Sequence, residues 1–446
     1  MRPKHTANWS RGIRTGDPKE NNMKTTAFHL AAALFSLATL SFAPHAALAQ
    51  HPLVQGAAET AGMSSARLAV MDARIQAQID KGAVAGVVVA VARHGIIVHN
   101  KAYGMADIEA GTPMRTDHLF RLYSMTKAVA SVALLTLYEE GRFQLDDPLE
   151  KYIPSFKDLK VYAGQDSNGK MLLEDMKRKP TVLDAFRHTL GLAGGVGQHP
   201  IDIVYREHGL SMGALESLSE EMQKLGEVPL RYQPGEQWVY GLGHDVQAYL
   251  VEYFSGMPYA EYLQQKIFDP LQMHDTMFGV PPKLADRFAK VYGVNTDGGL
   301  QAQEREAYAR YTDHAFATLS LSGSTGDYLR FAQMLLNKGE LDGVRILGKK
   351  TVELMSRNWL PANIASISAN GPHASGWGLG VSVVIDELAY GHLGSEGAYG
   401  WSGAASTFFT VDPKEDMTYV IMAQKMPTDG NVRNTIENLI YQAVVE

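Results

Sequence analysis

A serine and a lysine three residues apart are the strongest candidates for chemistry in this chain. Ser124 and Lys127 belong to the segment Ser-Met-Thr-Lys, which follows the mostly apolar run Leu119–Tyr123 and opens a helical pattern. Residues at i and i+3 share one face of a helix, so the lysine can point at the serine hydroxyl. A lysine in apolar surroundings can act as a base or assist one, and a helix start favours developing negative charge. The context therefore favours a nucleophilic Ser124 over an N-cap serine followed by a solvated lysine.

The same Ser-x-x-Lys pattern occurs a second time, in Ser167–Lys170. This copy lies among Asp, Asn and Gly residues, and no apolar helix follows it. Such residues are typical of turns. We therefore predict a loop at Ser167 and no catalytic role.

A tyrosine that follows a Pro-Gly turn is the second candidate. Tyr240 comes shortly after Pro234-Gly235 and just ahead of a helical pattern that begins near His244. A phenol has a reference pKa near ~10, so it needs a nearby cation to act as a base. Lys127 can be that cation. An aromatic residue at such a position can equally serve packing, and the sequence alone leaves both interpretations open.

The third candidate is the segment Trp401–Ala404, ahead of the strand pattern Ser406–Val411. Gly403 lets a substrate approach the backbone, and the N–H group of Ala404 can form half of an oxyanion hole. With the preceding glycine, the segment nearly spells the Gly-x-Ser-x-Gly elbow of lipases, which requires a strand, a sharp turn and then a helix. A strand pattern follows instead, and Ala404 replaces the last glycine. We therefore do not expect Ser402 to be a nucleophile.

The composition excludes several other chemistries. The chain has 446 residues and no cysteine, which removes thiol nucleophiles, disulfides and iron–sulfur clusters. Its 15 histidines form no His-Glu-x-x-His motif and no tight pair, so we predict no metal and no cofactor. The formal net charge of −7 offers no basic face for nucleic acid. A hydrophobic share of 45% with 20% charged residues is typical of a globular protein.

The first 49 residues predict an export signal. They carry six basic and two acidic residues, so the rest of the chain has a net charge of −11, against −7 for the whole. Lys24 precedes the apolar run Ala27–Phe42, and Ala47-Leu48-Ala49 has the small-x-small pattern of a cleavage site. The run is short for a membrane anchor. We predict that residues 1–49 are removed, that the mature protein is exported to the periplasm, and that it has no stable membrane span.

Secondary-structure patterns place the three candidates between two β-rich ends. The spacing of apolar residues predicts a helix at Ser64–Lys81, a hairpin over Val84–Tyr103 and a buried helix at Ser124–Tyr138. Later patterns predict helices at Thr181–Arg187, His244–Phe254, Ser324–Asn337, Thr351–Met355 and Asn431–Val444, and strands at Trp377–Ile385, Ser406–Val411 and Met417–Ala423.

Two β-rich ends can share one antiparallel sheet only if the middle of the chain is an insertion. We therefore predict an α+β fold. Residues 50–123 and 325–446 form an α/β domain, and residues 124–324 form a mainly helical domain. The candidate residues lie at the interface between the two domains.

The three motifs, in this order, resemble the serine β-lactamase and penicillin-binding superfamily. The chain is most similar to its class C β-lactamase-like branch and, within it, to family VIII carboxylesterases. The similarity extends over about residues 55–445 and includes the supporting stretches Arg187–Leu192, Ile267–Met273, Phe331–Asn337 and Val411–Pro413.

That resemblance implies a β-lactamase-like fold and a role for each candidate residue. Ser124 would be the acylated nucleophile, Lys127 its activating partner and Tyr240 the general base. The N–H groups of Ser124 and Ala404 would hold the oxyanion, with Trp401 and Gly403 beside the substrate. No cofactor is implied.

Two departures from the superfamily pattern concern the substrate. β-Lactamases and carboxypeptidases of this kind carry Tyr-x-Asn and Lys-Thr-Gly, whereas this chain has Leu242 after Tyr240 and Trp401-Ser402-Gly403. Both changes remove groups used on a β-lactam amide and carboxylate, so we predict a serine esterase acting on a small ester or a short peptide-like substrate. A peptidase or amidase of the same superfamily, a weak β-lactamase and a non-catalytic binding protein remain alternatives. The oligomeric state is not predicted.

Overall fold

In the described residues, one sheet of nine strands joins the two β-rich segments of the chain. The computed structural model describes residues 53–210, 217–303, 315–367, 374–428 and 430–446. All neighbours in the sheet are antiparallel, except that the edge strand Val54–Gln55 runs parallel to the next strand. The order across the sheet is Val54–Gln55, Ile96–Asp107, Gly86–Arg93, Met417–Ala423, Thr407–Asp412, Tyr399–Gly403, Ser382–Val384 and Ser375–Trp377, with Thr112–Pro113 paired to Ile96–Asp107.

The strand Gly86–Arg93 is where the two chain ends meet. It forms the predicted hairpin with Ile96–Asp107 on one side and pairs with Met417–Ala423 on the other. All eight of its residues are buried, as expected for a short, nearly continuous apolar run. The prediction that both ends of the chain build one sheet is therefore confirmed.

Helices cover both faces of this sheet. Val89 packs in an apolar cluster with the helices Ser65–Asp80 and Gly430–Gln442. The next residue, Ala90, points to the opposite face, where the helix Thr325–Leu336 packs. The other α-helices in the described residues are Thr126–Glu139, Val182–Phe186, Pro200–Glu207, Leu218–Leu225, Gly243–Ser255, Tyr259–Leu263, Lys349–Met355 and Glu387–Tyr390.

The segment between the two β-rich ends is mainly helical and also contains short strands, among them the hairpin of Lys160–Gln165 and Met171–Asp175. A three-stranded sheet links Leu119–Arg121, Leu321–Ser324 and Met277–Phe278. The predicted fold class is confirmed, whereas the division into two domains at residues 124 and 324 stays a prediction. The predicted signal peptide lies outside the described residues. None of the helices in the described parts of the chain is both long and apolar enough to cross a bilayer.

Two strand predictions in the last hundred residues were wrong. The segment Trp377–Ile385 was expected to be one strand, but the chain reverses between Ser375–Trp377 and Ser382–Val384. Gly380 makes this turn possible, since its φ is +88° and a side chain there would collide with Ser131. No strand was expected between Ile385 and Ser406. Residues Tyr399–Gly403 instead form a strand of the sheet.

Candidate active site

The backbone turns sharply just before Ser124. After the strand Leu119–Arg121, Tyr123 has a φ of +46°, which is unusual for a bulky residue. A 3-10 turn, Tyr123–Met125, carries Ser124 and leads directly into the helix Thr126–Glu139. The sequence predicted that Ser124 opens this helix, whereas the structure places it one short turn earlier. Residues held in such sparsely populated conformations cluster at functional sites and cost about 1–3 kcal/mol each.

Lys127 is completely buried and its ammonium group faces Ser124. Lys127 Nζ donates to Ser124 Oγ at 3.3 Å and to the backbone carbonyl of Thr318 at 2.8 Å. The same nitrogen lies 4.7 Å from the centre of the Tyr240 ring. A cation at this distance from an aromatic face is attracted to it. The structure therefore brings together the three residues that we predicted to be catalytic.

Tyr240 is held from two sides. It lies between the Pro-Gly turn, where Gly235 has a φ of +85°, and the helix Gly243–Ser255. The Nε1–H group of Trp401 donates to the Tyr240 hydroxyl at 3.2 Å. Tyr240 is therefore positioned by a cation near its ring and by a hydrogen bond to its oxygen.

The strand Tyr399–Gly403 forms one wall of the site. Gly403 lies so close to the carbonyl oxygen of Leu122 that a side chain there would collide with it. Ala404 follows in an exposed turn, next to the segment that carries Ser124. Ala404 thus follows the strand that runs beside the segment of Ser124, and its role in an oxyanion hole stays a prediction.

The two serines that were not expected to be nucleophiles, Ser402 and Ser167, lie outside the Ser124 site. Ser402 lines a cavity of about 190 Å³ with Arg433 and Glu437 of the C-terminal helix, on the other face of the sheet. The strand Thr407–Asp412 follows it, so the context is not that of a lipase elbow. Ser167 is exposed in a hairpin turn.

A ring of aromatic side chains surrounds Tyr240. His188 lies 4.8 Å from Tyr240 and 4.7 Å from His244, measured between ring centres, and Trp377 lies 4.6 Å from Trp401. Burial, together with the nearby Lys127 charge, holds the pKa of His188 well below its usual value, and His244 is lowered in the same way. Both imidazoles are therefore neutral at pH 7 and add no positive charge to the site.

A buried carboxylate fixes the segment that carries His188. Asp184 accepts hydrogen bonds from the guanidinium groups of Arg178, at 2.6 and 2.8 Å, and Arg187, at 3.0 Å, and from the hydroxyl of Thr189 at 2.7 Å. Desolvation alone raises the pKa of Asp184, but the Arg178 hydrogen bonds and charge outweigh it, so the net pKa is lowered. The carboxylate therefore stays ionised and anchors the loop beside the site.

Sequence reasoning missed a second buried carboxylate, on the helix Gly243–Ser255. Asp245 accepts from the Thr318 backbone N–H at 3.0 Å and from the Thr318 hydroxyl at 2.5 Å. The carbonyl of Thr318 is one of the two acceptors of Lys127. In the sequence, the one feature that points to Asp245 is its position five residues after Tyr240. No feature of the sequence around Thr318 points to a place in the site.

Within the described residues, no three His, Asp or Glu side chains lie close enough to hold a metal ion. The arrangement instead offers a hydroxyl, a lysine ammonium and a phenol in contact. Such a set can carry out acyl transfer through a serine.

Comparison with known proteins agrees with this geometry. The chain matches the Beta-lactamase family over residues 71–442, and it belongs to this family. It is 30% identical over 365 residues to an uncharacterised protein of Mycobacterium tuberculosis, covering 80% of this chain and 89% of that protein. It is 34% identical over 235 residues to the esterase EstB of Burkholderia gladioli, covering 50% of this chain and 55% of the esterase.

A third relative is named as a peptidase and not as an esterase. It is a candidate D-alanyl-D-alanine carboxypeptidase of Salmonella typhimurium, 27% identical over 88% of this chain and 90% of that protein. Among solved structures, the simvastatin synthase LovD of Aspergillus terreus superposes with a TM-score of 0.75 at 23% identity, covering 85% of this chain and 98% of LovD. The hydrolase EstCE1 gives 0.72 at 22% identity, covering 85% and 100%. The protein thus has the fold of the serine β-lactamase-like hydrolases, a superfamily that includes esterases and peptidases.

Proposed function

We propose that the protein hydrolyses carboxylic esters through an acyl-enzyme formed on Ser124. The observation that carries this proposal is the buried Lys127, whose Nζ donates to Ser124 Oγ while lying 4.7 Å from the Tyr240 ring centre. A buried lysine aimed at a serine has no structural purpose that a neutral residue would not serve at lower cost. Esterase EstB, at 34% identity over half the chain, supports the same function.

The acylation step follows from the hydrogen bonds. Because Lys127 N–H donates to Ser124 Oγ, the serine's own proton is free to go to the oxygen of Tyr240, which accepts it as a phenolate beside the Lys127 ammonium. Ser124 Oγ attacks the ester carbonyl, the N–H groups of Ser124 and Ala404 stabilise the oxyanion, and Tyr240 then returns the proton to the leaving alcohol. Water attacks the acyl-enzyme with the same base, which releases the carboxylic acid and restores Ser124.

Two side chains favour an uncharged ester over a peptide carboxylate. Leu242 is completely buried in the apolar core, so it offers no amide to a substrate. Trp401 supplies a neutral N–H group to Tyr240 rather than a second ammonium. A substrate with a free carboxylate needs a cation or several donors to offset its desolvation.

A peptidase or amidase is the second candidate, because the Salmonella relative covers most of this chain. The two functions share the nucleophile and the base, so they differ only in rate on each substrate. We would compare p-nitrophenyl butyrate, nitrocefin and a D-alanyl-D-alanine peptide under identical conditions. We expect kcat/KM to be highest for the butyrate ester. A higher value for the peptide or for nitrocefin would contradict the esterase assignment.

Ser124→Ala tests the nucleophile, and Ser167→Ala is its matched control because it changes the exposed copy of the same motif. We expect Ser124→Ala to abolish esterase activity and Ser167→Ala to leave it unchanged. A wild-type protein with no turnover on all three substrates and no covalent adduct would favour a non-catalytic binding protein.

We also propose that the mature protein acts outside the cytoplasm after removal of residues 1–49, which rests on the leader pattern alone. Fractionation of the native host, with N-terminal sequencing of the mature protein, tests this part. An intact leader on cytoplasmic protein would refute it.

A further inference from the structure

The charge of Lys127 is compensated indirectly. Its Nζ donates to two neutral oxygens, those of Ser124 and Thr318, so it makes no direct ion pair with a carboxylate in the described residues. Burying an unpaired ammonium is costly, because the protein interior solvates charge poorly. A negative charge is therefore expected within a short distance of Lys127.

Asp245 supplies that charge through Thr318. Both hydrogen-bond donors of Thr318, the backbone N–H and the hydroxyl, point at the Asp245 carboxylate, while the Thr318 carbonyl points at Lys127. All three residues are fully buried. One threonine thus links an anion and a cation, and its carbonyl is polarised and oriented by the two bonds on its other side.

The other ionisable groups around Asp245 do not provide this charge. Burial and the neighbouring Asp245 raise the pKa of Glu221 well above its usual value, so Glu221 is neutral. Burial and Asp245 also raise the pKa of Tyr259, which packs from the next helix. His188 and His244 are neutral because burial lowers their pKa values. Asp245 accepts two hydrogen bonds from Thr318, whereas Glu221 Oε2 has no hydrogen-bond partner among the described residues, so Asp245 is the anion of this cluster.

We propose that Asp245 is a positioning residue for the reaction, which holds Thr318 so that the Thr318 carbonyl and the carboxylate charge together fix the Lys127 ammonium against Ser124. This inference rests on the proposed function, since it assigns a role within the same site. Asp245 acts through Thr318 and does not touch the substrate.

The proposal has a pH dependence. Burial raises the pKa of Asp245 to about 6, although the Thr318 hydrogen bonds and the Lys127 charge act in the opposite direction. As the pH falls through this value, the carboxylate is protonated and loses its charge. Activity should therefore fall on the acid side with an apparent pKa near 6, and the neutral histidines are not the source of this limb.

Asp245→Asn, with Glu221→Gln as the matched control, tests the role. The asparagine keeps the size of the side chain but removes the charge and one acceptor. Glu221, in contrast, is already neutral, and the hydrogen bonds of Lys127 Nζ and Thr318 go to other residues. Losing a hydrogen bond to a charged group lowers kcat by roughly 10- to 150-fold. We expect this drop, an unchanged KM and the loss of the acid limb in Asp245→Asn, and a near wild-type profile in Glu221→Gln.

A second pair of variants keeps the proposal falsifiable if Asp245→Asn does not fold. Thr318→Ser retains the hydroxyl donor and Thr318→Val removes it, while both keep the backbone groups. We expect Thr318→Ser to retain most of kcat and Thr318→Val to lose it, with both folded by circular dichroism. Equal activity of the two threonine variants, or an Asp245→Asn profile with the wild-type acid limb, would overturn the proposal.

Labelling of Ser124 in the wild-type protein by a serine-reactive phosphonate separates this test from the proposed function. If Ser124 is labelled and the Asp245 and Thr318 variants behave as wild type, only the positioning role fails. If Ser124 is not labelled, the proposed function fails, and the positioning role fails with it.

Discussion

Replacing Trp401 by phenylalanine removes one hydrogen bond from Tyr240, the proposed base, and leaves an aromatic ring in place. The bond runs from Trp401 Nε1 to the Tyr240 hydroxyl at 3.2 Å, which is at the long end of the normal range. The phenylalanine ring can still pack edge-on against Trp377, as the indole does at 4.6 Å between ring centres. The substitution therefore removes mainly the hydrogen bond to the Tyr240 oxygen and leaves most of the packing in place.

The magnitude follows from the charge that Tyr240 carries when it acts as a base. A hydrogen bond to a charged group contributes about 1.5–3 kcal/mol, and the length of this bond favours the lower half of that range. About 1.5–2 kcal/mol corresponds to a roughly 10- to 30-fold loss of kcat, since 1.36 kcal/mol is tenfold in rate. KM should change little, because the indole N–H group points at the base and not at the substrate.

The assay is steady-state hydrolysis of p-nitrophenyl butyrate, with Trp359→Phe as a control. Trp359 also donates from Nε1, to the carbonyl of Leu354 at 2.8 Å, but lies outside the site. We expect Trp359→Phe to keep the wild-type kcat. If Trp401→Phe retains kcat within threefold of wild type, or if both variants lose it equally, the role assigned to this bond is wrong.

Three further variants test other parts of the structure. Gly403→Ala should inactivate the enzyme and lower its melting temperature, because its methyl group meets the carbonyl of Leu122; a fully active variant would show that this strand edge does not hold the oxyanion. Ser402→Ala should leave the activity unchanged, and a loss of more than threefold would support Ser402 as the nucleophile of a lipase-like elbow. Asp184→Ala should lower the free energy of unfolding by about 1.5–3 kcal/mol in urea titration, since it removes the hydrogen bonds that Arg187 and Thr189 donate to this carboxylate, whereas the 40% exposed Arg178 can return to water. Because the pKa of Asp184 is lowered in the fold, this contribution is present above pH ~4 and is lost as the pH falls through the lowered value, which acid titration of both proteins can measure.

Local patterns predicted the elements that position the nucleophile. The helix Ser65–Asp80, the hairpin that begins at Gly86 and the buried helix after Ser124 lie within a few residues of their expected bounds. Their apolar residues either recur at helical spacing or form short continuous runs, so neighbouring residues alone specify them. The order of the motifs then indicated the family, which the comparisons confirm.

The features that the sequence did not predict depend on contacts between distant segments. Tyr399–Gly403 is short and contains two glycines, and it is held as a strand by pairing with Ser382–Val384 on one side and Thr407–Asp412 on the other. Thr318 comes within reach of Lys127 because two segments 191 residues apart in sequence meet in the core. No local pattern marks such a residue. The roles of Ser124, Lys127, Tyr240, Trp401, Gly403 and Ala404 remain predictions, although the structure brings these residues to one place.

The most direct test of the central claim is to trap the acyl-enzyme. Wild-type protein is mixed with p-nitrophenyl butyrate, quenched in acid within the first turnover, digested and analysed by mass spectrometry. We expect one butyryl group on the peptide that contains Ser124 and none in Ser124→Ala. A butyryl group on another residue, or full hydrolysis by Ser124→Ala, would contradict the assignment of Ser124 as the nucleophile.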